Sequence, residues 1–118
     1  MELPDLVHAI LSGDLLTARQ WVADAKRERL RWDTFARPSG LDQREMAVAA
    51  ALAEVLAARA GADAPQWTQG VGVAQDEPLF LDPGVQAMPR TLERIRHDAP
   101  EALRKRNLYA SPDFLDVR

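Results

Sequence analysis

The sequence predicts an all-α protein, a small single-domain bundle of about four to five helices with a central alanine-rich helix and an irregular segment at 68–84. Three observations predict it. Apolar residues recur at helical spacing in three separate stretches, an uninterrupted alanine-rich run fills the middle of the chain, and no stretch shows the sustained two-residue alternation of a half-buried strand. A length of 118 residues fits one domain, divided into N-terminal helices (1–61), an ordered loop (62–88) and C-terminal helices (89–118).

Leu3, Leu6, Val7 and Ile10 lie at i, i+3, i+4 and i+7, which predicts a short amphipathic helix that starts near Pro4 and is interrupted by Gly13. Asp14 is placed to cap a second helix, on which Ala18, Trp21, Val22 and Ala25 repeat the spacing, so the two should form a hairpin. The second helix is expected to continue through Lys26, Arg27, Arg29 and Arg31 to Trp32, its late cations suiting the negative end of the helix dipole, and to stop before Pro38. Asp42 and Glu45 form a capping-box variant, and Gly61 marks the other end of the alanine-rich run. Met46, Ala49, Ala50, Ala53, Leu56, Ala57 and Ala60 make one stripe of this helix. Val48, Leu52 and Val55 lie off it, so the helix should be surrounded by others, and a homodimer core would also account for part of its apolar coverage.

Residues 63–67 suit a single turn. The 68–84 segment carries Gly70, Gly72, Gly84, Pro78 and Pro83 and no helical period, which predicts an ordered loop or hinge. Within it Leu79-Phe80-Leu81 is too short for a strand in a sheet that nothing else supplies, and is expected to lie extended on the helices. Met88, Leu92, Ile95 and Ala99 restore the helical spacing until Pro100 breaks it. Asp98 and Glu101 form a second capping-box variant that should start a short helix from about Ala99 to Arg106, with Asn107 as terminator. Ser111-Pro112 should cap a last turn carrying Phe114, Leu115 and Val117.

Composition narrows the function. Apolar residues make 47% and charged residues 28% of the chain, a globular mixture, and without cysteine there is no disulfide framework, thiolate metal site or cysteine nucleophile. A net charge of −3 disfavours a dedicated nucleic-acid binder but leaves room for a local basic patch. The start lacks a secretory signal and the longest strongly apolar stretch, 46–53, is far short of the roughly 20 residues that span a bilayer, so the expectation is a cytoplasmic protein without a membrane partner. His8 and His97 lack ligand partners at helical spacing. Ser12, Ser39 and Ser111 sit beside Gly or Pro in no nucleophile elbow, and Gly70-Val71-Gly72 lacks the rest of a dinucleotide or phosphate loop. The motifs therefore predict no catalytic residue, no cofactor and no metal.

Positive charge gathers in two places. Lys26, Arg27, Arg29 and Arg31 surround Trp32, and residues 90–106 hold Arg90, Arg94, Arg96, Arg104, Lys105 and Arg106 against three acids. The plain account is a solvated face with cations at helix ends. The sharper account is an arginine-led docking surface, with Trp67 and Tyr109 as its anchors.

Three stretches, Gly13-Asp14-Leu15-Leu16-Thr17-Ala18-Arg19-Gln20-Trp21-Val22, Ala58-Arg59-Ala60-Gly61 with Pro65-Gln66-Trp67, and Ala99-Pro100-Glu101-Ala102-Leu103-Arg104-Lys105-Arg106-Asn107-Leu108-Tyr109, together resemble an uncharacterised family of small, mostly actinobacterial helical proteins. The last is the most distinctive, similar to the family's Pro-x-x-φ-Arg-x-Arg-Asn/Gly-φ-aromatic ending. Members often lie beside, or fused to, DNA-binding modules and next to nucleotidyltransferase-like genes, so the resemblance implies a toxin–antitoxin or regulatory operon. The leading expectation is a non-enzymatic antitoxin that presents Arg90, Arg94, Arg104, Arg106, Asn107 and Tyr109, with Trp67, to the carboxylates of a cognate toxin or neighbouring gene product. The alternative is a DNA-binding regulator using either basic cluster, and a small enzyme of unknown type comes third.

Overall fold

In the computed structural model, which describes residues 2–81, 89–112, 114 and 115, the first two helices are α1 (Leu3–Leu11) and α2 (Leu15–Arg27), packed as a hairpin. The Asp14 carboxylate accepts a hydrogen bond from the Thr17 amide at 3.1 Å and one from its hydroxyl at 2.6 Å. These bonds, the side-chain one first, hold its carboxyl below the usual carboxylate range. Helix α2 ends at Arg27, earlier than the sequence predicts, because Arg29 adopts a left-handed φ of +53°. The Arg29 amide then bonds the Lys26 carbonyl and the Leu30 amide the Ala25 carbonyl, closing a Schellman motif that cannot continue as helix. Trp32–Thr34 follows as a separate 3-10 turn.

Helix α3 (Gln43–Arg59) begins with the predicted capping box, in which Asp42 accepts from the Glu45 amide at 2.8 Å and Glu45 accepts from the Asp42 amide at 3.1 Å. The second Glu45 oxygen lies 2.9 Å from His8 on α1. Every residue from Ala47 to Ala57 is buried except Glu54. Helices α1 and α5 (Glu101–Arg104) and two 3-10 turns, Trp32–Thr34 and Gln66–Gly70, pack against α3, and its alanines let them approach closely. One chain thus covers the helix on its own, and its apolar coverage needs no dimer. Trp21, Trp32 and Phe35 form an aromatic cluster beside it, with ring centroids 5.4–6.4 Å apart.

The C-terminal part departs from prediction in three ways. Leu79–Phe80 is a strand after all, β1, and its partner is β2 (Leu108–Tyr109), in parallel register with Leu79 beside Leu108 and Phe80 beside Tyr109. The Leu79 amide donates to the Asn107 carbonyl at 3.0 Å and the Leu81 amide to Tyr109 at 2.8 Å. A two-residue pair carries too little periodicity to register in the sequence, and its partner lies 29 residues further along. Second, α4 (Pro89–Asp98) and α5 are separated by an extended Pro100, and α5 has no side-chain cap. Asp98 does not cap α5 because it is still the last residue of α4 and Pro100 holds the N-cap position, so the second capping box does not form, and the Asp98 carboxylate lies 3.0 Å from His97 Nδ1 instead. Third, the regular part of the short helix spans only Glu101–Arg104 within the predicted 99–106, and residues 105–107 form a turn ended by Asn107 at φ +62°. Phe114 and Leu115 are buried, with the Phe114 amide on the Ser111 carbonyl at 3.1 Å. Gly84, Met88 and Val117, with the 82–88 part of the predicted loop, lie outside the described residues. The radius of gyration, 13.3 Å, is that of one closely packed unit, for which scaling gives about 13.5 Å. No described helix is long and apolar enough to cross a membrane.

Candidate functional site

The seven residues singled out in the sequence separate into two groups. Arg106 is interior and the half-buried Asn107 and Trp67 are tied to loop carbonyls, while Arg90, Arg94 and Arg104 are exposed and Tyr109 is half-buried in the ring stack.

Arg106 is the chief correction. It is 1% exposed, and all five of its N–H groups are engaged. Nη1 donates to Glu54 Oε1 (2.9 Å) and the Ala102 carbonyl (2.8 Å), Nη2 to Glu54 Oε2 (2.9 Å) and the Thr68 carbonyl (2.8 Å), and Nε to the Val71 carbonyl (3.2 Å). A guanidinium presents five donors in a fixed fork, so no capacity remains for a partner. Lys105 Nζ joins Glu54 Oε1 at 2.9 Å. Burial pushes the Glu54 carboxyl up, but the hydrogen bonds from Arg106, Lys105 and Thr68, with the Arg106 charge, outweigh it and hold the group down at about 2. The network binds the glycine-containing segment 68–71 and the turn after α5 to α3.

Asn107 serves the same segment. Its side-chain amide donates to the carbonyls of Gln75 and Asp76, both at 3.0 Å, and asparagine tolerates the left-handed conformation that the turn requires. With the Ala74 amide on the Arg106 carbonyl at 2.9 Å, this holds the chain in line for β1 to meet β2. Trp67 is half-buried, packs against the core and donates its indole N–H to the Phe35 carbonyl at 3.0 Å, so it joins two loops rather than standing out as an anchor.

The exposed group centres on α4. Ile95 and Ala99 are buried and Leu92 is half-buried. A helix held by these three turns Arg90, Arg94 and His97, spaced i, i+4 and i+7, to the opposite side, with Glu93 beside them. Arg96 leans the other way, its Cζ 5.8 Å from the Tyr109 ring centroid. Tyr109 in turn stacks on Phe80 at 5.4 Å with the planes 30° apart. The strand pairing thus stacks two half-buried aromatic rings under a guanidinium. The arrangement offers planar cations beside aromatic area, chemistry suited to recognising carboxylates on a protein surface.

The sequence reading overlooked Phe80, which a strand assignment would have placed beside Tyr109, and Glu54. The signal for Glu54 was present: it is the lone charge between Met46 and Ala58 of an otherwise apolar helix. Among the described residues no group of three or more His, Asp or Glu is arranged to hold a metal ion. Comparisons with protein-family models, with curated proteins and with solved structures find no match.

Proposed function

We propose that this chain is a non-enzymatic protein-interaction module that docks on an acidic surface of a partner protein through α4 and the Arg96–Tyr109–Phe80 stack. The observation that supports it is the exposure of Arg90 and Arg94 on one face of a helix that the chain itself covers from the other side. Arginine and aromatic residues dominate binding energy at protein interfaces, and complementary charge accelerates encounter. The resemblance noted above gives the partner a specific form, a nucleotidyltransferase-like toxin whose metal-binding carboxylates the arginines would occupy, which makes the chain an antitoxin.

Co-expression of the chain with the neighbouring gene product, followed by affinity co-purification, tests the reading. A complex that survives purification, with affinity reduced at least tenfold by the double substitution Arg90→Glu and Arg94→Glu, is the expected result. Failure to co-purify, or a complex indifferent to that charge reversal, overturns it. The regulator reading loses its first basic cluster by geometry, because Lys26, Arg29 and Arg31 line a hollow rather than a strip along a helix. A band shift with the chain's own promoter DNA that disappears steeply with salt would restore it.

A further inference from the structure

The first basic cluster surrounds a half-open hollow of about 800 Å³ between the end of α2, the end of α3 and the last turn. Half-buried Val22 and Leu30 give it apolar surface over the buried Trp32, Leu56 and Leu115, and Lys26, Arg29, Arg31 and Arg59 bring positive charge to it. Asp33 and Asp63 also line it, but Asp33 is held by Arg31 at 3.2 Å. Arg59 donates to the Pro112 carbonyl. Lys26 and Arg29 are exposed and have no side-chain hydrogen bond or ion pair among the described residues. The volume is that of a small-molecule site, the lining is more apolar than polar, and its four cations outnumber its two carboxylates, Asp33 and Asp63.

The backbone at Arg29 is an independent observation. Helices α1, α2 and α3 all close with the same Schellman pair of hydrogen bonds, and the residue at the left-handed position is Gly13 in the first, Arg29 in the second and Gly61 in the third. Glycine adopts that conformation without strain and arginine does not. The chain therefore accepts strain where a guanidinium borders the hollow, and uses glycine where nothing but a turn is required. Strained non-glycine residues are concentrated at binding sites because the side chain is needed there.

We propose that this hollow binds a small amphipathic anion, a carboxylate on a medium-chain acyl body, with the chain on Val22 and Leu30 and the carboxylate between Lys26 and Arg29. The site uses none of the residues assigned to the partner-docking face.

Titration of the purified full-length chain with decanoate, followed by calorimetry and by tryptophan fluorescence, tests it, because Trp32 forms part of the lining. Saturable one-to-one binding of decanoate is expected, with decanol at least tenfold weaker for want of a charged head and acetate silent for want of an apolar body. Lys26→Ala and Arg29→Gly should each weaken decanoate binding by about tenfold. Arg29→Gly should at the same time raise Tm by about 2–5 °C, since the strain is relieved, so that loss of binding cannot be put down to unfolding. The Arg90→Glu, Arg94→Glu variant should bind decanoate as the unaltered chain does. No saturable binding, equal affinity for decanol, or affinity unmoved by both Lys26→Ala and Arg29→Gly overturns the proposal.

Discussion

Replacing Arg106 by Met is the most discriminating perturbation of this fold. The substitution removes five hydrogen bonds and leaves three carbonyls, those of Thr68, Val71 and Ala102, together with a largely buried carboxylate that keeps only Lys105 and Thr68. Removing one partner of a buried pair typically destabilises by about 3–5 kcal/mol. Lys105 and the remaining exposure of Glu54, 15% of its side chain, argue for the lower end, about 3 kcal/mol. Against a total of roughly 5–15 kcal/mol this is a large fraction. Urea unfolding followed by circular dichroism should show the midpoint falling by about 1.5–2 M for a denaturant slope of about 1.5–2 kcal/mol per M. The loss should also depend on pH. The Glu54 carboxyl is held down at about 2 in the folded chain and returns to its ordinary 4.5 when unfolded, so its ionisation stabilises the fold in full above 4.5, and that contribution is lost as pH falls toward 2. The interval corresponds to about 3 kcal/mol, discounted to about 2 kcal/mol because one edge of the carboxylate meets water. The difference between the unaltered chain and the variant should therefore narrow steadily below about pH 4.5. A loss under about 1 kcal/mol at pH 7, or a difference that does not change on acidification, would refute the reasoning.

Asn107→Ala should destabilise by about 2 kcal/mol through a strained left-handed alanine and two lost hydrogen bonds, and Asn107→Gly should recover only the backbone share, both read by thermal unfolding. Gly61→Ala should lower stability by about 1 kcal/mol for conformational reasons alone, because a Cβ there meets nothing within 4 Å at φ +69°; a much larger loss in urea unfolding would show an unseen steric conflict. Asp42→Ala should lower stability by about 1 kcal/mol, visible as a lower Tm, since it removes the side-chain half of the α3 capping box.

The helical elements were legible because their signals are local. The spacing of Leu3, Leu6, Val7 and Ile10, the Asp14 cap, the Asp42–Glu45 box and Gly61 each lie within a few residues of the structure they specify, and each appears in place. What was illegible is long-range or exceptional. The β1–β2 pair depends on a contact across 29 residues, and the early end of α2 depends on an arginine taking the position that a glycine usually marks. The candidate site divides the same way. Arg90 and Arg94 could be placed outward from the apolar spacing of Leu92, Ile95 and Ala99, whereas the surroundings of Arg106 could not be read from its neighbours in the chain.

That division explains why a basic run is a poor unit for inferring a binding surface. Arg104, Lys105 and Arg106 are consecutive, yet the first is exposed, the second reaches back to Glu54 from the rim and the third is interior. Their different roles follow from one residue on another element. Glu54, alone among the apolar residues of α3, would be an uncompensated buried charge unless cations came to it. Its need fixes Arg106 inside, and the fork geometry of that guanidinium fixes the carbonyls of Thr68, Val71 and Ala102 around it. Those carbonyls position the segment that leads to β1, and β1 brings Phe80 under Tyr109 and hence Tyr109 under Arg96. The buried arginine thus recognises nothing outside the chain, but it sets the stage on which the exposed ones stand, and its loss should disturb the Arg96–Tyr109–Phe80 stack before it disturbs α1 or α2.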